Sequence, residues 1–395
     1  MKHKDRNTLT TIIKAGEGKD YSNVRIPGVP IYQSSNYLYE NVETGTSIQL
    51  GEKSGHIYTR YTNPTTDTLN EIMADIEGTD GALSFASGMA AISSTIFAWC
   101  QPGDHIVSSA YIYGGTYTFF QKQLQRFKID VTFVDPRNHK QIRQAIQKNT
   151  KILYTEPLAN PTLIASDINF WNNLTREYKC KLVIDNTFTP PPVFHPARLG
   201  SSIILHSATK YLGGHSDLLG GIVCADSEDI EHIKPVMKTF GPTIAPLISW
   251  LLIRGIRTLG VRIERQNENA LTLARFLENH PKINRVFYAG LESNPQFELC
   301  SSQFNGYTGM LSFEVKGGWP AAKTLMESVK TIMFTVSLGD VSSLICHPAS
   351  TSHVYLTEEE RQEISVTEGL LRLSTGIEHI DDLQNDLEQA LDKIN

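Results

Sequence analysis

The chain is poor in cysteine, and the few it has form no recognisable set. Cys100, Cys180, Cys224, Cys300 and Cys346 are scattered through 395 residues, odd in number and without a C-x-x-C pair. That spacing argues against a disulfide framework and against a thiolate zinc site, so no metal is expected and a reducing cytoplasm is the simpler setting. Charge of one sign is not concentrated either. The formal net charge is −6 and the isoelectric point is about 6.1, which gives no reason to expect nucleic acid or an anionic membrane as a partner. Long apolar runs are nearly absent. Only Gly81–Cys100 is uncharged over a membrane-like length, and it is interrupted by Ser84, Ser87, Gly88, Ser93, Ser94 and Thr95. With no second such run, it reads as a buried helix of a globular core. The charged start Met1–Arg6 is followed by no apolar stretch, so no secretory signal is expected. There is no internal repeat and no low-complexity tract. No G-x-G-x-x-G follows the first strand, which argues against a nicotinamide dehydrogenase.

What is present is ordinary globular composition, 40% hydrophobic and 20% charged, at a length that favours two domains. The first sixty residues carry turn clusters such as Arg25–Pro30 and Glu43–Thr46 and read as an arm, residues 1–60, with no core of its own. An arm of that kind lies on something else, such as a second subunit. A helix is expected from Pro64 to about Gly78, capped by Thr66 or Asp67 and stopped by the glycine. Short, continuous, β-branched runs then recur: His105–Val107, Val131–Val134, Lys151–Tyr154, Lys181–Ile184 and Ser202–Leu205. Such runs suit buried strands of a parallel sheet, and helical stretches between them, such as Gln141–Lys148, imply βαβ units. A long apolar helix is expected over Pro246–Arg262. Beyond it the chain mixes helices with a few strands, such as Met310–Glu314, and closes on an acidic helix near Ile380–Ile394. The domains are therefore drawn at 61–255 and 256–395, both α/β.

Several windows carry chemistry. Between Arg198 and Asp217, Lys210 is the only formally charged residue. It follows a strand pattern and precedes Gly213-Gly214. A lysine at the mouth of a sheet is partly desolvated, which frees the amine to attack an aldehyde; the alternative is a surface lysine at a strand end. Asp185 ends the run Leu182-Val183-Ile184 and so points into the crevice where α/β sheets bind ligands. There it can keep a pyridine nitrogen protonated, or it can simply cap the next turn. Ser87 and Gly88 open an apolar helix, whose free N–H groups and dipole favour a phosphate, although a plain N-cap looks the same. Ser207 and Thr209 can add hydroxyl donors. Tyr113, just before Gly114-Gly115, can lie flat on an aromatic ring or pack in its turn.

Taken together, these windows resemble the Cys/Met-metabolism (trans-sulfuration) family of fold-type I PLP-dependent enzymes, from about Tyr58 to about Ile380. The similarity rests on Ser207-Ala208-Thr209-Lys210-Tyr211 with Gly213-Gly214-His215-Ser216-Asp217. It is supported by Tyr58–Thr65, Glu156–Pro161, Asp185-Asn186-Thr187 and Leu371–Glu378. The resemblance implies an aspartate aminotransferase-like fold, with a mostly parallel seven-stranded sheet in three layers and a smaller C-terminal α/β domain. It implies that Lys210 holds pyridoxal 5'-phosphate (PLP) and shuttles protons, and that Asp185 pairs with the ring nitrogen. Tyr113 stacks on the ring and assists at the leaving group. Ser87, Gly88, Met89, Ser207 and Thr209 surround the phosphate. Tyr58 and Arg60 reach the phosphate of a neighbouring subunit, with Tyr58 also bordering substrate. Arg372 grips the substrate carboxylate, while Asn160 and Ser337 orient substrate and cofactor. A homotetramer of two catalytic dimers is implied as well.

Within that family the discriminating stretch is Phe334–Asp340. Cystathionine γ-lyases and γ-synthases usually carry a glutamate just before Ser-Leu-Gly, where this chain has Val336. An apolar residue there suits a short uncharged thioether tail, and Val336–Asp340 followed by His347–Ser350 looks like methionine γ-lyase. In contrast, Gly115 stands where methionine γ-lyases typically have cysteine, and Tyr-Gly-Gly-Thr is common in cystathionine enzymes and sulfhydrylases. The resemblance thus points to a carbon–sulfur lyase of the methionine type. The alternatives are cystathionine γ-lyase or γ-synthase and O-acetyl- or O-succinylhomoserine sulfhydrylase. An alternative of another class, a PLP-fold binding protein without catalysis, has no reason to keep Lys210, Asp185, Tyr113 and Arg372 together.

Overall fold

Short β-branched runs become strands here, and the segments between them become helices. The computed structural model describes residues 7–17, 20–21, 24–200, 202–354 and 357–394; the charged start Met1–Arg6 lies outside the described residues. After the arm come α1 (Pro64–Glu77), β1 (Gly81–Phe85), α2 (Gly88–Trp99), β2 (His105–Ser109), α3 (Gly114–Thr118), β3 (Asp130–Val134), β4 (Thr150–Thr155), α4 (Ile168–Tyr178), β5 (Lys181–Asp185), β6 (Ile203–Ser207) and β7 (Gly221–Ala225). Then follow α5 (Ser227–Phe240), α6 (Pro246–Ile256), α7 (Leu259–Glu278), β8 (Ile283–Phe287), β9 (Met310–Val315), α8 (Gly318–Ser328), β10 (Met333–Phe334), β11 (Leu344–Cys346), β12 (Leu370–Ser374) and α9 (Ile380–Leu391).

The first seven strands form one sheet in the order β1-β7-β6-β5-β4-β2-β3, and the rest form a five-stranded sheet in the order β8-β9-β12-β11-β10. In the large sheet only β7 runs against its neighbours β1 and β6. Side chains alternate across it. Val183, Leu205 and Val223 pack with α2 and α5 on one face, while Leu182, Ile184, Ile204 and Ile222 pack with α1, α4 and α6 on the other. The result is three layers, as period-two alternation between two helical faces requires. Sequential strands diverge from β2, with β3 on one side and β4 on the other. Such a switch opens a crevice at the C-terminal strand ends.

Three local expectations are corrected. Gly81–Cys100 is not one helix: its first five residues pair with β7, and Ser87, in extended conformation, caps α2 by accepting from the Ala90 N–H. Neither Thr66 nor Asp67 caps α1. Asn63 does, accepting from Thr65 N–H at 3.0 Å, because Pro64 fits the first helical position and moves the start upstream. Pro246–Arg262 is not one helix either but spans the whole of α6 and the start of α7. The Gly255 carbonyl, which would continue the ladder, is taken by Thr258 and by the Arg262 guanidinium. Among the described residues no helix is long and apolar enough to cross a membrane.

Candidate active site

Four strands of the large sheet end at one crevice, and each delivers a polar group there. Lys210 follows β6. Its Nζ donates to Ser337 Oγ at 2.8 Å, and burial, aided by the nearby Arg372 charge, pulls its ammonium from 10.5 down to about 8. Asp185 ends β5 and is buried. Its Oδ1 accepts from Thr187 N–H at 3.1 Å and Thr187 Oγ at 2.5 Å, and its Oδ2 accepts from Tyr154 at 3.4 Å. Burial raises its pKa, against the lowering pull of the Thr187 hydrogen bonds. Among the described residues no lysine or arginine pairs with it, and His206, whose charge also pulls it down, is itself paired with Glu77 at 2.5 Å, so this buried carboxylate has no ion-pair partner of its own.

Tyr113 follows β2 and is 44% exposed. Its N–H donates to Glu156 Oε1 at 2.6 Å. The ring leans over Gly115: a Cβ at residue 115 would stand 2.5 Å from the Tyr113 ring. A cysteine in that place would push the ring away, so the departure noted in the sequence has a direct steric meaning.

The N-terminus of α2 forms a narrow cradle. A Cβ on Gly88 would meet Ser207 Cβ at 2.8 Å, and one on Gly221 would meet the Ser87 carbonyl at 2.1 Å. The N–H groups of Gly88 and Met89 lie in the first helical turn, where the helix itself offers no acceptor. Ser207 donates its own N–H to Thr187 Oγ at 2.8 Å. The Thr209 hydroxyl is engaged with the Gly220 backbone, accepting its N–H at 3.1 Å.

Arg372 enters from β12 of the second sheet and is 5% exposed. One Nη donates to Asn160 Oδ1 at 3.0 Å, the other to the Ser337 carbonyl at 2.7 Å, and its buried Nε has no partner. No carboxylate of the described residues bridges to it. Asn160 follows β4 and precedes a cis proline. Ser337 sits at φ +87°, and Val336 beside it is 56% exposed. The expected residues Lys210, Asn160, Ser337 and Arg372 are therefore joined directly.

Tyr58 and Arg60 are not tied into that set within this chain. Arg60 donates to the Lys238 carbonyl at 2.5 Å and to the Tyr61 hydroxyl at 3.1 Å, and it stacks over the Tyr61 ring at 4.6 Å. Three further groups had been given no role from the sequence. Glu156 clips the Tyr113 loop, and burial followed by the Asp185 charge pushes its carboxyl well above the usual range. Thr187 orders Asp185. His353 is buried beside Arg372, and burial followed by that charge holds its imidazole down at about 4, hence neutral. The signal for Glu156 was available: like Asp185, it is a lone charge at the end of a buried strand.

Comparison with known proteins falls in line with this geometry. Residues 9–392 match the Cys/Met metabolism PLP-dependent enzyme family. L-methionine gamma-lyase of Fusobacterium nucleatum subsp. nucleatum is 40% identical over the whole of both chains. Cystathionine gamma-lyase of Bacillus subtilis is 39% identical over 93% of this chain and 94% of its own. Among solved structures, a Campylobacter jejuni protein described as an O-acetylhomoserine (thiol)-lyase, which holds N'-Pyridoxyl-Lysine-5'-Monophosphate, superposes with a TM-score of 0.93. It is 32% identical, over 98% of this chain and 100% of that one.

Proposed function

The chain belongs to the Cys/Met metabolism PLP-dependent enzymes, and from that premise we propose that it is a carbon–sulfur lyase of the methionine γ-lyase kind. It would convert L-methionine or a related sulfur amino acid, with water, to 2-oxobutanoate, ammonia and a thiol. The residues present fit pyridoxal 5'-phosphate. A lysine with a lowered pKa, a buried carboxylate without an ion-pair partner of its own and a helix N-terminus too tight for a side chain at Gly88 surround one crevice. When bound, the cofactor supplies an electron sink for a carbanion at the substrate's α-carbon.

In this reading the protein's own groups divide the work. Lys210 Nζ would hold the cofactor through its aldehyde and, once the substrate's own amine has displaced it, would be the free base placed to move a proton from the α-carbon. Asp185 offers its carboxylate to the ring nitrogen and keeps a proton there. Tyr113 covers the ring and holds a proton at its hydroxyl for the departing sulfur. Gly88, Met89, Ser207 and Thr209 hold the phosphate, with Ser87 fixing their helix. Arg372 takes the substrate carboxylate through its open Nε and an Nη, a planar fork matched to a planar acid. Asn160 and the Ser337 carbonyl hold that guanidinium in place.

The observation that carries the choice of substrate is Val336 beside the Lys210–Ser337–Arg372 cluster. It puts an apolar side chain, and no acid, where a distal ammonium would need a partner. A second reading, γ-replacement on an O-acyl homoserine, is favoured by Gly115, which lets the Tyr113 ring lean back. We further place the exposed part of the arm on a neighbouring subunit of a homotetramer, with domains at 61–255 and 256–395; the start of the arm does not need that cover, because Ile12, Ala15 and Val29 are buried in this chain's own core beside Leu69, Ile72 and Met73. Leu38, Val42 and Leu50 of the arm are 99%, 80% and 67% exposed, and bare apolar side chains of that kind ask for a cover. The five thiols, free and all buried, support a cytoplasmic setting. The deciding test is incubation of the PLP-loaded protein with L-methionine alone. Equal release of 2-oxobutanoate and methanethiol is the expected result. No release, with thioether formed from O-acetyl- or O-succinylhomoserine plus a thiol, would make the protein a replacement enzyme. A protein that purifies colourless and takes up no PLP would return it to the binding class.

A further inference from the structure

Arg262, Gln266 and Asn269 lie four and three residues apart on α7, so they share one face. All three are buried, at 3%, 0% and 1% exposure. A buried polar face needs partners for every donor, and these partners are chiefly main-chain carbonyls of the loops that carry the site. Arg262 donates from one Nη to the carbonyl of Tyr211, the residue after Lys210, at 2.8 Å, and from the other to Gly255 at 2.8 Å; its Nε reaches Thr258 Oγ at 3.0 Å. Gln266 donates to the carbonyl of Asp340, three residues beyond Ser337, at 2.7 Å. Asn269 donates to the carbonyls of Gly376 and Glu378, just beyond Arg372 and its strand, both at 3.0 Å. Gly214, which closes the lysine loop at φ +74°, lies so near that a Cβ there would stand 2.2 Å from the Arg262 guanidinium.

Three loops from distant parts of the chain thus hang from one stiff rod. An α-helix rises about 1.5 Å per residue and does not stretch, so the spacing of these three anchors is fixed. The arrangement is expensive as mere packing, since apolar side chains of the same volume often stabilise a core as well as buried charges do. The loops also meet each other: Val341 N–H donates to the Gly214 carbonyl at 3.0 Å, and Lys210 Nζ stands 2.8 Å from Ser337 Oγ.

We propose that Arg262, Gln266 and Asn269 are positioning residues: Arg262 sets where Lys210 stands, while Gln266 and Asn269 set where Ser337 and Arg372 present the substrate carboxylate. This rests on the reading of the site given above. A misplacement of about 1 Å between reacting groups is enough to cost on the order of a hundredfold in rate.

The test uses full-length, PLP-loaded protein carrying Arg262→Met, Arg262→Lys, Gln266→Met or Asn269→Leu. The readouts are the pH titration of the visible band without substrate, kcat and KM per bound PLP, and the thermal midpoint. Arg262→Met should shift the titration by about half a unit or more, through an altered environment of Lys210, and lower kcat roughly tenfold or more. Arg262→Lys should recover part of both. Gln266→Met and Asn269→Leu should raise KM for the amino-acid substrate roughly fivefold or more while leaving the titration in place. Wild-type titration, kcat and KM in every folded variant, with only the thermal midpoint lowered, would overturn the proposal. Should Arg262→Met fail to fold, unchanged KM in Gln266→Met and Asn269→Leu would overturn it equally. Borohydride reduction separates the two ideas: if the reduced wild-type protein carries no pyridoxyl group on Lys210, the site reading itself fails and the positioning role falls with it.

Discussion

Replacing Val336 by glutamate should move the enzyme's preference from L-methionine toward L-cystathionine by an amount that the structure bounds. Val336 is 56% exposed, so a carboxylate introduced there would meet a distal ammonium in a largely hydrated setting. A pair of that kind gains only about 0.2–1 kcal/mol. The methionine tail would at the same time lose an apolar neighbour, which costs about 0.8 kcal/mol for each methylene or methyl group left without burial. Together these make about 1–2 kcal/mol, or roughly five- to thirtyfold in the ratio of the two kcat/KM values. The assay is 2-oxobutanoate release from each substrate under matched PLP loading, with Val336→Gln as the neutral control. Glutamine should weaken methionine turnover without helping cystathionine. If the glutamate and glutamine variants show the same substrate ratio, charge at this position does not select the substrate, and the argument from Val336 is wrong.

Lys210 should react as a free amine at unusually low pH. With its ammonium lowered from 10.5 to about 8 by burial and by Arg372, labelling of the apoprotein by a small amine-directed reagent should show a component with a midpoint near 8 that Lys210→Ala lacks; a midpoint at the ordinary lysine value would refute the burial argument. The sign for stability follows: the fold disfavours the charged form, so the apoprotein gains stability as pH rises from about 8 toward 10.5, and Lys210→Met should flatten that rise. Glu156 has the opposite consequence. Its carboxyl is raised above 4.5 by burial and by Asp185, so keeping it in the fold costs more as pH climbs above the unfolded value. Glu156→Gln should make the thermal midpoint fall less between acid and neutral pH, whereas Glu156→Ala leaves the Tyr113 N–H without its acceptor and should cost about 1–3 kcal/mol. Equal pH slopes in wild type and Glu156→Gln would remove the carboxyl from this account.

How much of this was readable in advance depends on what each residue's neighbours in sequence reveal. Lys210 and Asp185 were legible because a single charge at the end of an apolar strand run is conspicuous, and the sheet's switch point explains why such ends meet. The parallel strands were legible for the same reason. Strands β1 and β7 were not, because Gly81–Phe85 merges into the helix that follows, and Gly221–Ala225 sits among glycines that read as turn. Arg372 is visible as a charge between Leu371 and Leu373, but its partners Asn160 and Ser337 come from 212 and 35 residues away, a distance no local pattern spans. The face of α7 is a different kind of failure. Helical periodicity sends polar residues to water and apolar ones inward, yet here Val261 is 64% exposed while its neighbour Arg262 is 3% exposed. The inversion has a physical cause. Part of what packs against α7 is the carbonyl edges of three loops, and a face that must satisfy carbonyls is built from donors. Periodicity can show that a helix has two faces, but which one is buried depends on whether the neighbour offers methyl groups or oxygens, and only the folded chain brings that neighbour into place.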